Sequence, residues 1–315
     1  MTDRAETMPG EHAPKEVVSE PLHAHRSHWS DVWRQFRSHK GAMAGMGVFL
    51  FIVLLVTIGP LIHTVDPQYL DYRAKNQGMS FAHPLGTDNL GRDMLAQLMS
   101  GGRVSLLVGV VAMALSLVLG AFVGVLAGFF KPLDGPLMRL TDLFLALPIL
   151  PLLLVIIMLF RDPLRKFMGP ESGIFVLVVF IIGITSWMNT ARIVRGDVLA
   201  LKEREFVLAA RSIGTRSWRI VMRHILPNVM SPIMVSATLG IANAIITESA
   251  LSFLGLGFPS DYPTWGRLLY DGVNFIQLTP TRVLWPGLAI SLAVLSVNFI
   301  GDGLRDALDP RIRGR

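Results

Sequence analysis

Residues 104–130 read VSLLVGVVAMALSLVLGAFVGVLAGFF, 27 residues without an Asp, Glu, Lys or Arg. A helix rising about 1.5 Å per residue needs about 20 residues to cross a hydrocarbon core of about 30 Å, so this stretch is long enough to span a bilayer. On either side of it lie five more uncharged runs, at 41–62, 143–160, 172–191, 224–247 and 283–301, each of 18 to 24 residues. Backbone groups in lipid must find their partners within the protein, which leaves helices or closed barrels. Barrel strands would give segments of about 10 residues alternating in polarity, and no such alternation is visible. The fold class is therefore all-α: a polytopic membrane protein with six transmembrane helices, assigned with their flanks to 41–62, 104–130, 137–160, 172–194, 228–250 and 283–304.

The whole composition agrees with those runs. Of 315 residues, 51% are apolar and 17% charged, too apolar for a soluble domain of this size. Without cysteine the chain has neither a disulfide framework nor a thiol metal site. The first apolar run follows 40 residues of largely polar chain, unlike a cleavable signal, and so is read as a retained span. A net charge of +6 could suggest nucleic acid, but its placement points to a membrane instead. Lys and Arg number 20 across 1–40, 131–139, 192–223 and 305–315, against 9 across 63–103, 161–166 and 267–282. By the positive-inside rule the first set is cytoplasmic, with both termini.

Between the spans the sequence divides cleanly. Residues 1–28 have no apolar periodicity and read as a disordered cytoplasmic tail; His23, His25 and His28 there fit no helical ligand face, so no metal site is expected. Residues 29–40 place Trp29, Val32, Trp33 and Phe36 at helical spacing among Arg34, Arg37 and Lys40, an amphipathic interfacial helix. Residues 63–103 and 251–282 are external connections, and 305–315 a cytoplasmic tail. Gly120, Gly124 and Gly128 share one face of the second span, where another helix can approach closely. Pro148 and Pro151 should kink the third span. Asp302, Asp306 and Asp309 beside Arg305 and Arg311 read as a charged helix terminus.

The most informative stretch is the cytoplasmic connection 195–227, with Glu205-Phe-Val-Leu-Ala-Ala-Arg-Ser-Ile-Gly214 followed by a segment ending at His224-Ile-Leu-Pro227. In a first short helix Phe206, Ala209, Ala210 and Ile213 share a thin apolar face, and Gly214 is placed as a C-terminal cap. Ser217 can cap a second helix running to Pro227, which should break the chain at the entrance to the fifth span. Such a ridge could seat in a groove on a cytoplasmic partner, or simply lie on the membrane surface; the pattern alone leaves both open.

This stretch resembles the EAA loop of ABC importer permeases, with Ala209, Ala210, Gly214, Leu226 and Pro227 at the family's spacing. Leu208 stands where the general pattern has Glu, with Glu205 three residues earlier, and His224 stands where it has Ile. The chain is also similar to the C-type permease subunit of oligopeptide and dipeptide importers through His83-Pro-Leu-Gly-Thr-Asp-Asn-Leu-Gly-Arg-Asp93, Leu251-Ser-Phe-Leu-Gly-Leu-Gly257 and Asn298-Phe-Ile-Gly-Asp-Gly-Leu-Arg-Asp-Ala-Leu-Asp-Pro310.

The resemblance, running from about Trp29 to Pro310, implies a type I importer fold with its transmembrane domain over 104–304. It also implies a heterodimer with a second permease, two cytoplasmic ATP-binding subunits, an external substrate-binding protein, and a solute such as a peptide. Glu205, Phe206, Leu208, Ala209, Ala210, Ile213 and Gly214 would couple to the ATPase, and Leu226 and Pro227 would form the hinge into the fifth span. The chain itself would be no enzyme and hold no cofactor, ATP being bound by partners. No Gly-x-x-x-x-Gly-Lys-[Ser/Thr] phosphate loop, His-Glu-x-x-His or Gly-x-Ser-x-Gly pattern occurs, so no catalytic residue is expected. Met99-Ser-Gly-Gly-Arg103 resembles an ABC signature only superficially, since the charge rule puts it outside. Asn243 and Glu248 are candidates for the pathway, polar groups near membrane depth usually facing a cavity or a partner. A secondary transporter working alone is the principal rival; it would favour paired mid-membrane charges or symmetrically broken halves, and neither is clear.

Overall fold

The computed structural model describes the backbone of residues 28–259 and 261–308, and side chains from Ser30 onward within those ranges. The tail reading for 1–28, the histidines within it, and the Asp309 and Arg311 part of the helix-end reading lie outside the described side chains. Twelve helices follow in order among the described residues: α1 (His28–Ser38), α2 (Lys40–Ile62), α3 (Met94–Phe129), α4 (Lys131–Ala146), α5 (Ile149–Met168), α6 (Pro170–Ile184), α7 (Trp187–Leu201), α8 (Glu205–Ser212), α9 (Ser217–Ile220), α10 (Leu226–Phe253), α11 (Trp265–Val273) and α12 (Thr281–Leu308). Their extended pairing amounts to one isolated bridge, Thr87 to Asp93.

Five helical runs are long and apolar enough to cross a membrane: α2, α3, α6 with α7, α9 through α10, and α12. The pair α4 and α5 is apolar and long enough only when taken together, and it is bent by 86°, so the count is five crossings, or six with that pair counted as one span. A kinked third span over 137–160 is thus replaced by two helices. Of the two prolines only Pro148 breaks the chain: the residue before it, Leu147, is extended (φ −75°, ψ 138°), as the steric demand of the following ring favours. Pro151 falls in the first turn of α5, where a missing N–H costs nothing.

Span α3 begins at Met94, ten residues before the uncharged run, so 94–103 are helix rather than connecting loop. Asp93 is the reason: its Oδ1 accepts the N–H of Ala96 at 2.7 Å, capping the helix. The same carboxylate meets His63 Nε2 at 3.0 Å and His83 Nδ1 at 2.8 Å, tying the end of α2 and the following loop to the start of α3. At 36 residues α3 is about 54 Å long and overreaches a hydrocarbon core at its ends.

Along α3 the glycine stripe meets α7. A Cβ on Gly120 would stand 2.7 Å from Thr190 Cβ, on Gly124 2.6 Å from the Ala191 carbonyl oxygen, and on Gly128 2.7 Å from Val198 Cβ. These glycines let two backbones touch, the small-residue mode of helix association in membranes. Arg195 of α7 grips Asp134 of α4 through Nε and Nη2 at 2.5 and 2.8 Å, holding α4 against the same end.

Chain direction gives the bundle two ends. One carries α8, the C-terminal ends of α3 and α7, and the start of α10; the other carries the α2–α3 loop, α11 and the start of α12. Helix α1 packs Val32 and Phe36 against α2 and α12, near Ala42 and Ala307, so both described termini lie at the α8 end.

Candidate functional site: the α7–α10 connection

Between Leu201 and Leu226 the chain leaves the bundle and returns. Helix α8 has only eight residues, too short to be stable alone, so its order comes from packing. Val207 (0% exposed) and Ala210 point into an apolar cluster with Val125 and Phe129 of α3, Val194 and Val198 of α7, and Ile220. The guanidinium of Arg211 lies 5.2 Å from the Phe129 ring centroid, and Lys202 Nζ donates to the Gly128 carbonyl at 3.0 Å.

At its C-terminus Gly214 adopts φ +76°, a conformation open to glycine without strain. Its N–H bonds to the Arg211 carbonyl at 2.9 Å while the N–H of Thr215 reaches the Ala210 carbonyl at 3.1 Å. That is the Schellman cap, which turns the chain sharply toward α9.

This geometry redistributes the ridge. Phe206, Leu208, Ala209 and Ile213 are exposed, Ile213 to 83%, and Glu205 is exposed at the first turn. Ala210 does not share their surface: it is buried, one helical step round, because Val207 three residues earlier occupies the same inward stripe. Val207 is therefore the anchor, absent from the ridge of Phe206, Ala209, Ala210 and Ile213, and the i, i+3 pair Val207 and Ala210 is the signal that identifies it. Leu208, at the position where the importer pattern has Glu, adds apolar surface outward instead of a charge. Around the ridge, residues 202–223 carry Lys202, Arg204, Arg211, Arg216, Arg219 and Arg223 against only Glu203 and Glu205, so any surface meeting it encounters a strong positive field.

Leu226 and Pro227 form no break. Helix runs unbroken from Ser217 to Phe253 through a π turn at Val221–Ile225. There the Leu226 N–H bonds to the Val221 carbonyl, five residues back, widening one turn just before the proline ring. Asn228 Nδ2 also donates to the His224 carbonyl at 2.7 Å. The proline is thereby absorbed within the helix, which continues from α9 into α10.

The two pathway candidates part company. Asn243 is exposed on the flank of α10, whereas Glu248 is sealed inside the chain and opens onto no surface of it. Gly101 and Gly102 of the signature-like Met99–Arg103 stretch lie within α3; Cβ atoms there would meet Thr264 at 3.1 Å and Trp265 at 2.6 Å, so they serve packing. Among the described residues no group of His, Asp or Glu side chains could hold a metal ion.

The fold defines the class: a multi-helix membrane bundle with a short docked helix at one end. Residues 116–314 match the family of binding-protein-dependent transport system inner membrane components, and residues 27–79 match the N-terminal TM domain of oligopeptide transport permease C. The chain belongs to this family of inner-membrane transport permeases. It is 38% identical over 286 residues to the oligopeptide transport system permease protein OppC of Bacillus subtilis, 90% of each chain being covered. Over 290 residues it is 37% identical to the dipeptide transport system permease protein DppC of Alkalihalophilus pseudofirmus, covering 91% of each. A third relative is the glutathione transport system permease protein GsiD of Pectobacterium atrosepticum, at 37% over 290 residues, or 91% of this chain and 93% of that one.

Proposed function

We propose that this permease forms half of the translocation pathway for peptides or similar small solutes, and that α8 is the helix through which partner ATPases drive it. The complex would comprise a second permease, two ATP-binding subunits on the α8 side, and a substrate-binding protein at the opposite end. In that reading the α8 end and both termini face the cytoplasm, and ATP binds in the partners rather than in this chain.

The observation that carries the reading is the division of α8 into two surfaces. Val207 and Ala210 root it in the ends of α3 and α7 and beside α9, while Phe206, Leu208, Ala209 and Ile213 are exposed, Phe206 lying against the His224 ring. A partner that shifts the outer surface must therefore shift three spans together, α10 through the unbroken helix from Ser217. Closure of the ATPases would draw the α8 helices of the two permeases together and rock the spans to open the cavity outward; hydrolysis would reset them. The relatives are named for oligopeptide, dipeptide and glutathione transport, which supports a peptide-like solute.

Because Ala209 is exposed, Ala209→Asp tests the surface without disturbing the core. In the purified complex, reconstituted with its binding protein, ATP-driven uptake should fall at least about tenfold while the permease remains in the membrane; uptake at the parent level would refute the assignment. The chain has no cysteine, so Ala209→Cys also reports sidedness: an impermeant maleimide should label it in inverted vesicles and not from outside intact cells.

A further inference from the structure

Glu248 takes no part in the α8 surface, yet it is fully enclosed, at 0% exposure. A carboxyl group away from water needs its oxygens bonded. Here Ser105 Oγ of α3 donates to Oε2 at 2.9 Å, and Ser252 Oγ of α10 donates to Oε1 at 2.8 Å. Ser105 Oγ in turn accepts the backbone N–H of Trp265, the first residue of α11, at 3.3 Å. The carboxyl thus stands where three elements meet.

Helix α11 is not a span. Its nine residues sit at the end opposite α8, in a segment that doubles back into the bundle after α10. The Trp265 side chain (1% exposed) fills the space among Val56, Leu98, Leu106 and Ile245, and its Nε1 donates to the Leu98 carbonyl at 3.0 Å. The seat is cut to shape by glycines: a Cβ on Gly102 would lie 2.6 Å from the Trp265 ring, and one on Gly266 2.4 Å from the Ser249 carbonyl. The entry to the segment, Leu254-Gly-Leu-Gly257, turns at Gly255, whose φ of +78° suits glycine.

We propose that Glu248 is a positioning residue: by accepting from Ser105, with Ser252 holding its other oxygen, it fixes the Ser105 hydroxyl so that its oxygen receives the Trp265 N–H, and in this way ties the re-entrant segment 254–273 to α3 and α10. The segment is then carried by those spans when they move, instead of swinging at Gly255 and Gly257. What matters is acceptance of the Ser105 hydrogen bond, not contact with solute. The inference is independent of the α8 assignment, and its test needs neither solute nor ATPase.

Single cysteines read it in the purified complex: Leu268→Cys (5% exposed, on the inner side of α11) and, as a control at the other end, Val198→Cys. Adding Glu248→Leu should speed maleimide labelling at 268 about tenfold and leave 198 unchanged, whereas Glu248→Gln, whose amide oxygen still accepts from Ser105 while its NH2 donates to Ser252 Oγ, should stay within about twofold of the parent. If Glu248→Leu does not accumulate, Ser252→Ala withdraws one donor and should raise labelling at 268 about threefold. Unchanged labelling at 268, an equal rise at 198, or Gln behaving like Leu would each overturn the proposal.

Discussion

Val207→Ala loosens α8 without touching its outer surface. The side chain is fully buried against α3 and α7, and Ala removes the equivalent of two methylenes. At about 0.8 kcal/mol each, the lost transfer free energy is about 1.6 kcal/mol, and the cavity left behind brings the cost to about 2 kcal/mol. The helix is too short to hold itself together, so this cost falls on its docking equilibrium, multiplying the undocked population about thirtyfold. Hydrogen exchange in the purified complex measures this directly at Ile213, Gly214 and Thr215, whose N–H groups bond to the carbonyls of Ala209, Arg211 and Ala210. These amides should exchange about thirtyfold faster, and solute moved per ATP should fall with them. Leu208→Ala removes at least as much carbon from an exposed position and should leave exchange unchanged. Equal exchange in the two variants, or none accelerated by Val207→Ala, would refute the inward-anchor account.

Two further outcomes follow from the same packing logic. Asp93→Ala removes the α3 cap together with the shared acceptor of His63 and His83, and a thermal melt in detergent should show a loss of about 2 kcal/mol, with Asp93→Asn retaining part of it. Gly124→Leu, whose Cβ would start 2.6 Å from the Ala191 carbonyl, should cut the amount of folded permease recovered by size-exclusion chromatography severalfold, while Gly47→Leu, with nothing within 4 Å, should leave it intact.

Much of the α7–α10 connection was legible in the residues themselves. Gly214 stands where a short apolar helix must end, and it takes the positive φ that such an ending uses. The four-residue spacing of Gly120, Gly124 and Gly128 announced a close helix crossing, and α7 lies against it. Less legible was which way each face points. Ala209 and Ala210 are alike in composition, yet one is exposed and the other buried, because only the assembled ends of α3 and α7 define an inside for α8. Pro148 and Pro227 are likewise the same residue with opposite outcomes. At Pro148 the chain bends by 86°; at Pro227 a π turn takes up the ring and the helix continues.

The sequence by itself determined the long apolar helices, since a long uncharged run in lipid has to satisfy its backbone within one helix, and this needs no knowledge of neighbours. It also marked the segment at 205–214 as unusual. Only the tertiary structure decided that Val207 anchors that segment and that Glu248 lies among Ser105, Ser252 and Trp265, residues up to 160 positions apart in the pairs they form. Local rules reach a turn or two along a helix; burial and hydrogen-bond partnership depend on which distant surface arrives opposite, and that is settled only when the spans pack.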